Sequence, residues 1–218
     1  MDLTKFFPEV LNENQSRVWQ DLDFISDMGF YLGGGTALAL QLGHRTSLDF
    51  DFYNPAKFNN KQLIQAFQKR YSRIETNSDQ PENTWHGKVV EVEVSAFLYQ
   101  YDLIGKLVEL SGVKIASLED IAAMKVAAVI QRARQRDFVD IYYLSKNIGM
   151  DKIIASAEKK YPWYQENRGV VLTSLVYFLE ADNDTEAGRI KVFDKKVTWQ
   201  VVKSQITQDL KKFPVSEE

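Results

Sequence analysis

The sequence predicts an α/β (α+β) protein, a mixed sheet with helices packed on it, followed by a helical C-terminal portion. Three observations carry this. Residues 30–54 hold a short apolar strand, a glycine turn, a helix and a second strand in quick succession. Residues 89–97, reading VVEVEVSAF, alternate apolar and polar side chains with the period of two that a strand requires. From Ser117 onward the apolar residues recur at helical spacing.

Residues 1–29 read as a helical lead-in, with Val10, Trp19, Leu22 and Ile25 apolar among polar neighbours and Met28-Gly29 as a helix end. Phe30-Tyr31-Leu32 is the first strand and Ala37–Leu42 the helix after the glycine turn. Leu48–Tyr53 is the second strand, closed by Pro55. Lys61–Tyr71 carries Leu63, Ile64 and Phe67 at helical spacing, and Asn77–Asn83 is a loop by its turn residues. Tyr99–Leu107 is a connector. Ser117 is the N-cap of a helix with Glu119 and Asp120 in its first turn. Asp137 and Asp140, spaced i, i+3, share a helix face, and a capping role for the pair accounts for that spacing. Beyond Asp151 come helices broken at Tyr161-Pro162, an apolar helix over Val170–Leu179, a loop over Asp182–Gly188, a final amphipathic helix from Thr198 and a tail from Phe213.

Chemistry concentrates in residues 31–54. In Gly33-Gly34-Gly35-Thr36 a glycine turn opens a helix, so backbone N–H groups point outward with the positive end of the helix dipole behind them, a site for phosphate. In the strand that follows, Leu48, Phe50 and Phe52 fall on one face and Asp49 and Asp51 on the other. Two carboxylates about 7 Å apart on one strand face can share hard cations such as Mg²⁺ or Mn²⁺. An ordinary turn would explain the glycines alone, and a solvated strand face the aspartates alone. Their joint occurrence in one strand–helix–strand unit favours phosphoryl or nucleotidyl chemistry, because aspartate is depleted in strands. Glu91 and Glu93 on the later strand are candidates for a third carboxylate, Glu93 the preferred one. Their other reading is a charged edge strand that discourages aggregation.

Gly34-Gly35-Thr36, His44-Arg45-Thr46-Ser47 and Asp49-Phe50-Asp51-Phe52-Tyr53 follow one another in the order and spacing of the first motif of the AbiEii/AbiGii-type nucleotidyltransferases, which this stretch resembles. SLEDIAAMK and RARQRDFVDIYYL look like that family's later Lys and Arg-Asp-x-x-Asp elements, and the resemblance spans residues 28–147. It implies a nucleotidyltransferase-like core and transfer of a nucleoside monophosphate from an NTP to an acceptor. Asp49 and Asp51 would hold the metal; the wider superfamily commonly takes a third catalytic acid from a later strand, a place the resemblance itself does not fix and for which Glu93 is the candidate. Gly34, Gly35, Thr36, Arg45 and Lys125 would bind phosphate, and Asp137 and Asp140 would stand behind Lys125. It also implies the toxin half of a toxin–antitoxin or phage-defence pair, with an RNA acceptor, tRNA foremost, and a cognate antitoxin. The expected division is a core over residues 1–147 and a helical portion over 148–218.

The remaining bounds are compositional. Among 218 residues there is no cysteine and only His44 and His86, so thiolate and histidine-rich metal sites are excluded. No run approaches a membrane span and the N-terminus lacks the layout of a secretory signal, so a cytoplasmic protein without membrane partner is expected. The net charge of −3 gives no global basic field for nucleic acid. A nuclease would want a later Glu-x-Lys, whereas Glu93 is followed by Val94-Ser95. The rival from another class is a non-catalytic nucleotide-binding or protein-interaction module on the same fold.

Overall fold

The computed structural model describes residues 5–77 and 79–213, so the expected tail at 214–218 lies outside them. The chain forms two compact units, Met1–Asp102 with Lys106–Ala116, and Leu103–Gly105 with Ser117–Glu218. The division falls where the Ser117-capped helix begins. The expected boundary at 147 instead coincides with the end of the next helix, because both of these helices pack with the C-terminal ones.

The first unit opens with a 3₁₀ turn, Pro8–Val10, then α1 (Glu13–Trp19) and α2 (Phe24–Asp27). Asn12 and Gln15 form a reciprocal capping box that satisfies two N–H groups at the start of α1. β1 (Tyr31–Gly33) runs directly into α3 (Gly34–Leu42), followed by β2 (Asp49–Asn54), α4 (Asn60–Gln68), β3 (Ile74–Thr76), β4 (Thr84–Val89), β5 (Val92–Leu98), β6 (Val108–Leu110) and β7 (Val113–Ile115). The strands form one mixed sheet in the order β3-β4-β5-β2-β1-β7-β6, with β2–β5 and β1–β7 parallel and the other pairs antiparallel.

The period-two alternation of β2 decides what each face carries. Phe50 and Phe52 are buried on one face with Val94, Ala96 and Trp85 from the neighbouring strands. Phe67 of α4 packs there, its ring 4.8 Å from Trp85 and 5.1 Å from Phe24 of α2. Each such fully buried side chain stabilises the unit by roughly 1.5–3 kcal/mol. The opposite face presents Asp49, Asp51 and Tyr53 beside Glu93, Ser95 and Phe97, in register.

The stretch expected as one strand, Val89–Phe97, is two strands with a tight turn between them. Val90 and Glu91 have φ of 47° and 69°, and Val89 pairs with Val92. This is the positive-φ, two-residue hairpin geometry that usually calls for Asn-Gly. Glu91 is therefore a turn residue, ion-paired to Arg73 at 2.6 Å and Lys88 at 2.9 Å, and not part of the carboxylate face. A β-branched residue in the left-handed region is strained by about 1–2 kcal/mol. Val90→Asn should therefore stabilise the protein by about 1 kcal/mol, a rise of roughly 2–4 °C in Tm. A lower Tm would show that Val90 contributes more through packing than it costs in strain. The β6–β7 hairpin, turning at Ser111-Gly112, was not anticipated.

The second unit is helical: α5 (Leu118–Arg132), α6 (Gln135–Ile148), α7 (Met150–Lys160), α8 (Pro162–Glu166), α9 (Arg168–Val176), α10 (Leu179–Asp182), a 3₁₀ turn Ala187–Arg189 and α11 (Trp199–Leu210). Ser117 caps α5 as expected, accepting from the Asp120 N–H at 3.0 Å. Asp137 does not cap α6. That helix begins two residues earlier, and Asp184, from the loop after α10, accepts from the Gln135 N–H at 2.9 Å. Asp120 is the hub of this unit. Its buried carboxylate accepts from the N–H groups of Ile104 and Gly105, from the Ser117 hydroxyl at 2.6 Å and from the buried Lys160 ammonium at 2.7 Å. Among the described residues no helix is long and apolar enough to cross a membrane.

Candidate active site

The register Gly33↔Asp51 between β1 and β2 sets the first turn of α3 beside the carboxylate strand. Gly34 has a φ of +66°, and a Cβ there would lie 2.9 Å from Asp51 Oδ2. A Cβ on Gly35 would lie 2.6 Å from Arg45 Nη2. Close approach disfavours a side chain at both positions, and at Gly34 the positive φ does so as well. The first-turn N–H groups of a helix have no intrahelical partner. Here the turn that carries them touches a carboxylate on one side and a guanidinium on the other.

Arg45 is buried, and its Nη1 donates to the Thr46 carbonyl at 2.8 Å, which fixes the guanidinium beneath Gly35. Thr36, expected at phosphate, is buried with its hydroxyl donating to the Asp49 carbonyl. It ties the first turn of α3 to the start of β2, so glycine turn and aspartate strand move as one piece. Gly35→Val should weaken NTP binding by tenfold or more, because a β-branched side chain displaces the guanidinium and obstructs backbone approach. Thr36→Ser, which keeps the hydroxyl, should be mild. Equal NTP affinity in Gly35→Val and the parent would remove the glycine turn from the site.

Asp49 and Asp51 are half-exposed on the open face of β2. Glu93, exposed, stands across from Asp49 on the parallel neighbour β5, and Ser95 across from Asp51. On β4, Lys88 is paired with Glu93 and His86 with Ser95, and His86 Nδ1 is 3.0 Å from Ser95 Oγ. Three rows therefore cross the sheet: Asp49–Glu93–Lys88, Gly33–Asp51–Ser95–His86, and Tyr31–Tyr53–Phe97–Thr84. Among the described residues no group of three or more His, Asp or Glu side chains is drawn together as a metal cluster. The donor set nevertheless fits a hard divalent cation. Asp49 and Asp51 supply carboxylate oxygens on one face, Glu93 lies about 5 Å across the sheet from Asp49, and the Gly34 hollow leaves Asp51 Oδ2 uncovered by a Cβ.

In the second unit, Lys125 is buried on α5 with its ammonium 2.8 Å from Asp137 Oδ1 and 2.6 Å from Asp140 Oδ2, both carboxylates fully buried. Arg132 Nε stands 3.4 Å from Asp137 Oδ2, so two carboxylates meet one ammonium and one guanidinium. The i, i+3 spacing on α6 places both acids on the face that meets Lys125. Ser95 and His86 were not singled out from the sequence. Ser95 has the period-two signal, two residues beyond Glu93. The place of His86 depends on the hairpin register, which depends in turn on the Val90-Glu91 turn.

A family profile described as "Nucleotidyl transferase AbiEii toxin, Type IV TA system" matches residues 17–102 and 100–216. The chain belongs to the AbiEii family of nucleotidyltransferase toxins. An uncharacterized protein of Aquifex aeolicus (strain VF5) is 34% identical over 157 residues, covering 70% of this chain and 75% of its own. Two solved structures share the fold. MenT4, a nucleotidyltransferase toxin from Mycobacterium tuberculosis H37Rv, superposes with a TM-score of 0.61 at 14% identity over 92% of this chain and 84% of its own. JHP933 from Helicobacter pylori gives 0.56 at 18% identity over 95% and 94%. Family membership extends over the C-terminal helices, which the sequence motifs alone did not reach.

Proposed function

We propose that this AbiEii-family chain transfers a nucleoside monophosphate, or a short nucleotide tail, from an NTP to an RNA acceptor, tRNA foremost. In this reading it is the cytoplasmic toxin of a toxin–antitoxin or phage-defence pair. One observation carries the reading: the Gly34 backbone packs against the Asp51 carboxylate. That contact joins the phosphate-binding turn to the metal-holding strand in a single element pair. Solvated aspartates and an ordinary glycine turn have no need of it.

The outward N–H groups of Gly34 and Gly35 would receive the β- and γ-phosphates, with the buried Arg45 guanidinium adding fixed positive charge beneath them. Asp49 and Asp51, with Glu93 across the strand pair, would hold Mg²⁺ or Mn²⁺, which when bound activates the attacking hydroxyl and neutralises the leaving pyrophosphate. Thr36 holds the two halves at fixed spacing, so the charges that meet the transition state are in place before the substrate arrives.

Support for a nucleic-acid acceptor comes from the charge pattern of the first unit. Between Asp51 and Glu75 the chain carries Lys57, Lys61, Lys69, Arg70 and Arg73 and no acidic residue, although its net charge is −3. A groove of about 680 Å³ on this segment is lined by Lys57, Lys61, Asn59, Asn60 and Gln65, with Glu82 at its side. Lysines suit backbone phosphates and amides suit base edges. The test is incubation with each labelled NTP, Mg²⁺ and total RNA. Label in RNA that disappears with chelator supports the reading, and binding of Mg–NTP without transfer to any RNA or protein fraction would establish the module instead.

A further inference from the structure

We infer that the polar face of α11, in the helical unit, is a binding surface for the body of an RNA chain, gripping its phosphates away from the reacting end. Naming that RNA as the acceptor rests on the transfer reading. The surface itself does not.

The inference starts from charge. The chain has a net charge of −3, yet residues 191–212 carry Lys191, Lys195, Lys196, Lys203, Lys211 and Lys212 against only Asp194 and Asp209. Positive charge gathered in one segment of an acidic chain is the footprint of a polyanion site. The helix then sorts its residues by face. Val202, Ile206 and Leu210 recur every four residues and are buried, so they hold α11 on its unit. Gln200, Lys203, Ser204, Thr207, Gln208 and Lys211 fall on the opposite face and line a groove of about 610 Å³. Asp209, the one acid of the helix, does not line it and accepts from Gln205 Nε2 at 2.8 Å.

That face offers ammoniums, amides and hydroxyls and no carboxylate, so every one of its six side chains can donate to an anion. Lys203 and Lys211 stand eight residues apart, about 12 Å along a helix. One phosphate group cannot meet both, whereas successive phosphates of a strand can. Lys203 is positioned in advance, 2.8 Å from Asp182 Oδ1 and 5.5 Å over the Trp199 ring, while Lys211 is exposed. Phe178 completes the lining, its ring fixed 5.0 Å from Phe138 and 5.8 Å from Trp199, and its neighbour Tyr177 is 51% exposed. Aromatic faces stack on unpaired bases, and amides bond base edges. A protein partner would want buried apolar anchors, and of the described lining Phe178 alone is apolar. The groove therefore fits RNA better than an acidic polypeptide.

The experiment uses the full chain and a fluorescent single-stranded RNA of about 30 nucleotides, with affinity measured from 50 to 200 mM salt. Lys203→Gln combined with Lys211→Gln should weaken RNA binding about tenfold and make the plot of log K against log salt shallower by about 0.7 per lysine. The Kd for Mg–NTP should be unchanged, and in transfer assays the KM for total RNA should rise about tenfold at constant kcat, the mark of uniform binding. Because Lys203→Gln also releases Asp182, Lys211→Gln alone, on an exposed side chain, should still weaken RNA binding about threefold with the parent's Tm. Unchanged RNA affinity and salt slope in a folded Lys211→Gln variant overturns the surface while transfer stands. Polyglutamate that binds as tightly as RNA, and is lost in the same variants, overturns RNA as the occupant in favour of an acidic polypeptide. RNA held by these lysines with no label transferred from any NTP upholds the surface and overturns the transfer reading.

Discussion

In Asp51→Ala, transfer of nucleotide should fall by about three orders of magnitude, the scale of losing several kcal/mol of transition-state charge stabilisation. The same should hold for Asp49→Ala. The fold should survive both changes. The two side chains share an open strand face, and removing one like charge relieves repulsion with its neighbour. Thermal melting without Mg²⁺ should therefore be unchanged or slightly raised, and kinetics and melting together make the test. A fall in Tm of several degrees in both variants would make the aspartates structural, and the assignment of the site would fail. Asp51→Ala has a second readout. The Gly34 backbone packs against this carboxylate, so its loss should also loosen the phosphate-binding turn and lower NTP affinity more than Asp49→Ala does.

Lys160→Met should destabilise the protein by about 3–5 kcal/mol, because it strands the Asp120 carboxylate in the interior without its ammonium. At roughly 2–4 °C per kcal/mol for a chain of this size, Tm should drop by about 10 °C. Asp120→Asn combined with Lys160→Met removes both charges and leaves an amide to accept from the connector N–H groups. It should recover a large part of the loss, and thermal melts of the two single variants and the pair measure the coupling. Burial works to raise the Asp120 pKa, but the Lys160 ammonium, the Ser117 hydroxyl and the N–H groups of Gly105 and Ile104 outweigh it and hold it below the ordinary carboxylate value. The folded pKa thus lies below the unfolded one. The stability that Asp120 contributes is complete above the unfolded pKa, near 4, and is lost as pH falls through the folded value. Lys160→Met removes the first of the groups that lower this pKa and should weaken that acid-limb dependence, which chemical denaturation at pH 7 and at pH 3 would show.

The strand–glycine–helix–strand unit was legible because every signal in it is local. The glycines, the alternation around Asp49 and Asp51 and the Pro55 stop all lie within residues 30–55. What stayed hidden depended on backbone choices without a residue signature, or on distant partners. Val90 and Glu91 are not turn formers, so a hairpin read as a strand, and the register that aligns His86 with Ser95 went with it. Ser111-Gly112 did offer a turn signal between two short alternating runs, and the β6–β7 hairpin could have been read from it. Asp184 capping α6 and Asp120 meeting Lys160 join residues 49 and 40 apart in sequence. No spacing rule reaches so far. Lys125 with Asp137 and Asp140 lay between these cases: the facing acids were visible as i, i+3, and the ammonium that joins them is contributed by the neighbouring helix.

The parallel pairing of β2 with β5 also bears on the order in which the protein is assembled. The β4–β5 and β6–β7 hairpins close over two-residue turns and can form in microseconds. Aligning Asp49 with Glu93 instead requires the whole of α4, β3 and β4 to be looped out first, a closure whose entropy precedes any reward from the contacts. On loop-closure grounds the carboxylate row should form after the hairpins, an order that pulsed hydrogen exchange during refolding would check. A chain emerging from the ribosome carries its glycine turn and its aspartates long before β5 has been made to stand beside them. Synthesis of the glycine turn and aspartate strand and completion of the carboxylate row beside them are thus separate events along this chain.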